Sequence, residues 1–530
     1  KGKILKTLTK NYYFKVFLLV VFLLLLTKID FRVNSYSNSS SVDDASYMYH
    51  AYTIGHDFDL DYTNQIQITD DYTKLGFYFN GTQYVPKHPI GPGIFAAPFA
   101  FVGKLLQMIN LSTNFSENNI TFFIYSLSSI FYFFSSILLI SKVINNSPKF
   151  NKTSPISIFY LFLGSGLAYY SFERFSMTHI YEVFSVAVLF YVAYKNLNGD
   201  NAYLNTIIGF LPAVFLLIRW VNVFVFLIPF LYYFLIDQRK SIRNILQSKF
   251  YYIGLTFGGL FFLTHTKILY SIYTLNPKLI YRDNAPIGFL EYTNLDSYFS
   301  FDFIVLIIKS LAIIIFSTEF GLLFFSPVLF FMFFSLFKLL YKKEFSLITI
   351  LFPIIGTPFA IVILWQASGS SYGYRYLTVL IPVSIFLTYR YLDSKIIKYL
   401  YAFNAISVYF FIKFETNELT SLNEAVNLFG RFHEYSGRYY LEGVLDGAFK
   451  INTYLVWIMT SFFAVFCFKL LILVFSYSFV EEQIINYGYM NGDVEKFLQF
   501  TQKTSYFEIL ILIILFTFFS TRLLKRNKYI

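Results

Sequence analysis

Charge is scarce in this chain: 14% of its 530 residues are Asp, Glu, Lys or Arg, against about 25% in an ordinary soluble domain. Cysteine is nearly absent. The single Cys467 lies in an apolar run, which excludes a disulfide framework and any cysteine-based metal site and leaves the compartment of the loops open. There is no internal repeat and no Gly/Ser-rich tract, so neither a solenoid nor a string of soluble domains fits. A small-residue cleavage motif does not follow the first apolar run, Val16 to Leu26, which therefore reads as a retained span rather than a removed leader.

Hydrophobic residues fill the space that charge leaves, at 56% of the chain, with aromatics at 22%. Segments such as Val16 to Leu26, Ile120 to Ile140, Ile253 to Phe262 and Ile509 to Phe519 carry almost no charge over lengths at or near those a bilayer demands. The net charge of +11 arises from Lys and Arg in short clusters between these runs. That distribution sets membrane orientation and does not indicate nucleic acid.

Lys1, Lys3, Lys6, Lys10 and Lys15 precede the first run and place the N-terminus inside. The reading is an all-α polytopic membrane protein with about 11–13 transmembrane helices. Residues 1–28 form the cytoplasmic N-terminus and first span, 29–119 a large first outer loop, 120–412 the main bundle, 413–450 a polar loop, and 451–530 the C-terminal spans and basic tail. Within the outer loop, Ile90 to Met108 is expected to lie at the interface, because a crossing would put Lys142, Lys149 and Lys152 outside. Phe303 to Phe316 is read the same way. Further spans are expected near 155–172, 177–194, 203–218, 220–236, 250–267, 321–340, 345–365 and 376–392, with basic clusters at Lys195, 237–249 and 338–343 inside. Spans near 396–412, 452–478 and 506–522 would leave the tail Arg522 to Lys528 outside, so one of them is expected not to cross.

This topology sends His50, His56, His88, His179 and His265 to the outer side or to outer span ends, so a site should face outward. The densest polar segment opens with Asp43 and Asp44. Asp44, Tyr47 and Ala51 then follow at i, i+3 and i+7, one face of a helix with the carboxylates at its start. Adjacent carboxylates there serve either as a helix cap or as a general base. Asp57, Asp59 and Asp61 suit solvated loop acids better than a cation site. In Pro86-Lys87-His88-Pro89, prolines fix a turn and Lys87 and His88 offer donors at headgroup level, where a phosphate would sit, with lysine snorkelling as the plainer alternative. Glu182 follows His179 by three residues on one helical face, and Arg174 is a structural partner for Glu173 or Glu182. Arg219 with Asn222 caps an outer turn. Ser371-Tyr372-Gly373-Tyr374-Arg375-Tyr376 forms a hinge whose tyrosines are of a kind that can stack on sugar rings and whose arginine can hold a phosphate, with snorkelling of Arg375 as the plainer alternative.

Three segments resemble the GT-C superfamily of membrane glycosyltransferases, in its protein O-mannosyltransferase and aminoarabinose-transferase branch. Asp43-Asp44-Ala-Ser-Tyr47 with Ala51 is similar to that branch's Asp-Glu-x-x-Tyr with a downstream Ala. Lys87-His88-Pro89-Ile90 is similar to its Lys/His-Pro turn, and Ser371 to Tyr376 to a Gly-Tyr-Arg-Tyr segment. Asp44 stands where the branch usually has Glu, and His88 where some members carry lysine. The resemblance implies an inverting transfer, of hexosyl or pentosyl type, from a polyprenyl-phosphate sugar to a lipid, glycan or protein acceptor at the outer face of a bacterial cytoplasmic membrane. It implies Asp43, ahead of Asp44, as base, with Lys87, His88 and Arg375 on the lipid phosphate. His179, Glu182, Arg219 and Tyr372 would hold acceptor or sugar. No cofactor is required, and a divalent metal at His179 and Glu182 is optional. A transporter, flippase or polymerase of lipid-linked saccharides is the alternative reading.

Overall fold

The computed structural model describes residues 42–66, 76–108, 119–172, 175–275, 280, 301–316, 321–365 and 373–416. The expected first span, Glu173, Arg174, Tyr372, His433, Cys467, the two C-terminal spans and the basic tail lie outside the described residues, as does the polar loop apart from its first residues.

The described chain is mostly helical. In order it forms α1 (Val42–Tyr52), a hairpin of β1 (Phe77–Phe79) and β2 (Tyr84–Pro86), α2 (Gly91–Met108), α3 (Asn119–Asn146), α4 (Pro155–Leu163), α5 (Leu167–Phe172), α6 (His179–Lys195) and α7 (Ala202–Leu216). There follow α8 (Ile228–Leu235), α9 (Arg239–Gln247), α10 (Lys249–Tyr270), α11 (Phe301–Phe316), α12 (Leu322–Phe325), α13 (Pro327–Tyr341), α14 (Phe345–Trp365), α15 (Ile381–Tyr391) and α16 (Ser394–Thr416). The hairpin departs from the all-helical expectation: Phe77 pairs with Pro86 and Phe79 with Tyr84 in antiparallel register, leading straight into the Lys87 turn. Among the described residues, two helices, over Ile124–Asn146 and Phe345–Ile363, are long and apolar enough to cross a membrane.

Several expected spans are not single helices. Those at 220–236, 321–340 and 376–392 are interrupted just before Pro229, Pro327 and Pro382, each of which opens α8, α13 or α15 at a first-turn position where its missing N–H costs nothing. A 3₁₀ turn precedes α8 (Val223–Leu227) and α15 (Arg375–Leu380). The segment at 155–172 breaks at Gly164. There α16 crosses so closely that any side chain at Gly164 would strike Asn404. Asn404 adds a second donor to the Tyr160 carbonyl (2.6 Å), which keeps its bond from the Gly164 amide, and Ser407 donates to the Gly164 carbonyl (2.7 Å), satisfying it at the break.

Small residues set the remaining close approaches. Gly209 and Ala213 of α7 face Gly254 and Gly258 of α10, with the backbone carbonyls of Thr206, Phe210 and Tyr251 where side chains would otherwise stand. The Gly254-x-x-x-Gly258 spacing is the small-residue pattern that lets two helices touch backbone to backbone. The contacts advance together along both helices, so α7 and α10 run parallel and end on the same side. Their ends carry Arg219 and Tyr270. Similarly, α2 turns Gly91, Gly93, Ala96, Ala97, Ala100 and Gly103 inward, and Gly93 lies against His50 of α1. Gly93→Ala is expected to cost about 1–3 kcal/mol through overpacking, read as a lower thermal unfolding midpoint of the purified protein in detergent. An unchanged midpoint would mean that α1 and α2 are not in backbone contact.

Candidate functional site

The expected helix forms at α1 and carries Asp44, Tyr47 and Ala51 on one face; all three are buried, as are Ser46, Met48 and His50. Asp43 is the second residue of this helix. Positions 43, 47 and 50 follow at i, i+4 and i+7 along one side of it. The Tyr47 ring meets His88 edge-on at 5.3 Å. Lys87 is buried, and its amide donates to the Gly76 carbonyl at 3.0 Å. The turn is tied down on its other side by Gly91, whose amide donates to the Leu217 carbonyl at 2.7 Å.

His50 lies wholly inside this assembly. Its Nε2 is 2.9 Å from the His88 carbonyl and its Nδ1 is 2.6 Å from the Tyr62 hydroxyl. A carbonyl only accepts, so Nε2 carries the proton and donates, and Nδ1 accepts from Tyr62. Burial pushes the Tyr62 hydroxyl well up, which keeps it a donor. Burial also lowers the His50 pKa from 6.5 to about 3, against the opposing pull of the His88 carbonyl. The native state therefore excludes a proton that the unfolded chain accepts below 6.5. Stability is full above that pH and falls as pH drops toward 3, by about 2 kcal/mol at pH 5. Denaturant titrations at pH 7.5 and 5 should show this loss in the wild type and less of it in His50→Gln; equal losses in both would assign it to other groups.

A second cluster assembles from α6, the α7–α8 turn and the 3₁₀ turn before α15. Arg219 donates from Nη1 to Glu182 Oε1 at 2.9 Å, and the Thr178 hydroxyl donates to the same oxygen at 2.8 Å. His179 Nδ1 is 3.6 Å from Glu182 Oε2 and 3.5 Å from Arg219 Nη1. Glu182 is only 1% exposed, so Arg219 supplies the charge that makes a carboxylate tolerable there. The guanidinium of Arg219 stacks over Tyr376 at 4.2 Å, and that of Arg375 reaches the same ring from 5.1 Å. Tyr47 and Arg375 both lie within electrostatic reach of Arg219, which joins this cluster to α1 and the Lys87 turn.

Asp44, Lys87, His88, His179, Glu182, Arg219 and Arg375 thus come from five separate stretches of sequence to one linked polar region. Glu182 pairs with Arg219, a partner not expected from the sequence; Arg174, the expected one, lies outside the described residues. The Asn222 amide donates to the Arg219 carbonyl at 3.1 Å, as expected of that turn. Asp57 and Asp61 bond neighbouring loop groups, Asp57 with Asn64 and Asp61 with Thr63, which fits loop acids rather than a cation site. At the His179–Glu182 pair, Arg219 and Thr178 occupy Oε1 of the carboxylate; among the described residues no cluster of three or more metal-ligating side chains occurs.

Three contributors were not singled out from the sequence: His50 as an interior group, Tyr62 and Tyr270. Among 46 tyrosines none stands out by type; Tyr376, next to Arg375, had the only local signal. No protein-family model, curated protein or solved structure matches this chain.

Proposed function

We propose that this chain is a polytopic membrane glycosyltransferase that transfers a sugar from a polyprenyl-phosphate donor to a lipid, glycan or protein acceptor at the outer face of the membrane. The observation that carries the reading is the convergence of carboxylates, cations and tyrosines from distant segments onto one region of an otherwise apolar helical bundle. Buried charge of this kind is costly unless used. The membrane part is supported by the surface of α10, where Phe250, Ile253, Phe257, Leu260 and Ile268 form an exposed apolar stripe opposite the glycine face. An exposed stripe of that length fits acyl chains and not water. The parallel course of α7 and α10, with Arg239, Lys240, Arg243 and Lys249 exposed at the far end from Arg219, agrees with a basic cytoplasmic side and an outward site.

In the proposed reaction the acceptor hydroxyl oxygen bonds to C1 of the sugar while the C1–O bond to the phosphate breaks on the opposite face, so the anomeric centre inverts. The hydroxyl proton passes to Asp43. The polyprenyl phosphate leaves with the bonding electron pair and one additional negative charge, which Lys87, His88 and Arg375 neutralise as it develops. Glu182 holds Arg219 in place, and Arg219 in turn stacks on the Tyr376 ring beside Arg375, which keeps both cations at the same region. The test is mass spectrometry of lipid-linked sugars and surface glycans in cells with and without the gene. Accumulated donor and a missing glycan are expected; identical profiles would sink the reading.

A further inference from the structure

The carbonyl of His88 has two side chains directed at it from opposite elements. His50 of α1 donates to it through Nε2 at 2.9 Å. From the end of α10, the Tyr270 hydroxyl is 3.1 Å from the Pro86 carbonyl and 3.4 Å from that of His88. Tyr62 fixes the His50 ring in turn, through Nδ1. Tyr270 is itself seated in a fully buried aromatic nest, edge-on to Trp220 at 5.9 Å and to Tyr78 of β1 at 5.8 Å. The backbone on both sides of Lys87 is therefore held at carbonyl oxygens, by side chains that cannot themselves move.

This arrangement has a chemical purpose that a plain packing contact lacks. A lysine ammonium is a point charge on a four-carbon stem, and its side chain loses about 2 kcal/mol of rotamer entropy when ordered. Lys87 is buried, so its backbone anchor decides where the charge stands. Its two flanking carbonyls are held by donors, and its own amide is used by Gly76. Three backbone groups around one cation are thus committed to outside partners.

We propose that His50 and Tyr270 are positioning residues that set the Lys87–His88 turn for the donor phosphate, with Tyr62 orienting His50. The inference rests on the donor reading above. Neither residue touches the phosphate; each acts through the turn. His50→Met removes the donor to the His88 carbonyl, His50→Gln keeps an N–H at nearly the same reach, and Tyr270→Phe removes only a hydroxyl.

The test uses the full-length protein purified in detergent and farnesyl phosphate as the probe, with dissociation constants from calorimetric titration. His50→Met and Tyr270→Phe are each expected to weaken binding about ten-fold when Lys87 is present, with His50→Gln close to wild type. In a Lys87→Met background, whose own binding is weaker, the same substitutions are expected to change affinity less than two-fold, because they act through the lysine. A loss of folding unrelated to the turn would not depend on residue 87. Equal losses in both backgrounds, or none in either, overturn the positioning inference while leaving the donor reading intact. Failure of the wild type to bind farnesyl phosphate overturns the donor reading, and this inference with it. Should His50→Met not fold, the Tyr270→Phe series carries the same comparison.

Discussion

Arg219→Met is expected to be the most destabilising single substitution at the site, costing about 3–5 kcal/mol because it strands a buried carboxylate. Glu182 is almost fully enclosed, and its Oε1 receives only Arg219 and Thr178. Its Oε2 has no hydrogen-bond partner among the described residues. When the guanidinium goes, Thr178 still donates to Oε1 and His179 Nδ1 stands 3.6 Å from Oε2, but the permanent cation paired with the carboxylate is lost. The converse change, Glu182→Met, leaves a cation that still stacks on Tyr376 and is 16% exposed, so it should cost less. Combining the two should recover most of the loss, since an apolar pair replaces an ion pair of similar volume. Thermal unfolding of the three variants in one detergent decides the matter. A double variant as unstable as the sum of the singles would show that the two side chains are not each other's partner.

The largest effect on activity is expected at Asp43. Removing a general base lowers a rate by about 10²- to 10⁴-fold, and Asp43→Asn should do so in single-turnover transfer while the protein still inserts and folds. The adjacent Asp44 offers an internal comparison. It is buried on the Tyr47–Ala51 face, in electrostatic contact with Tyr125. Asp44→Asn is expected to reduce stability more than rate. Full transfer by Asp43→Asn would move the base to another carboxylate, and a larger rate loss at Asp44 would exchange the two roles.

Much of the helical plan could be read from composition because apolar runs and proline positions are local signals. Pro229, Pro327 and Pro382 were present in the sequence as helix openers, yet the apolar runs around them continue without interruption, so hydropathy alone joins what the prolines divide. The break at Gly164 could not be read that way. Its cause is Asn404, some 240 residues later, and only the crossing of α16 reveals it. At the site, residue type identified His179, Glu182, Arg219 and Arg375, because ionisable groups among apolar neighbours are conspicuous. What joins them was hidden. Arg219 and Glu182 are 37 positions apart on different helices, and a tyrosine such as Tyr270 acquires its role only by where α10 ends.

The glycine contact between α7 and α10 bears on how this protein can change over time. Because a side chain at Gly209 would strike the Tyr251 carbonyl and one at Gly254 the Thr206 carbonyl, neither can be enlarged unless the helices slide or part. Sliding by one residue would carry Tyr270 about 1.5 Å along its axis relative to Arg219, enough to detach it from the Pro86 and His88 carbonyls. Residues deep in the bundle, remote from any reacting atom, thus act as a ruler for the distance between the two groups of cations. Homologous chains that alter the polar site are expected to vary freely in its tyrosines before they vary in this pair of glycines.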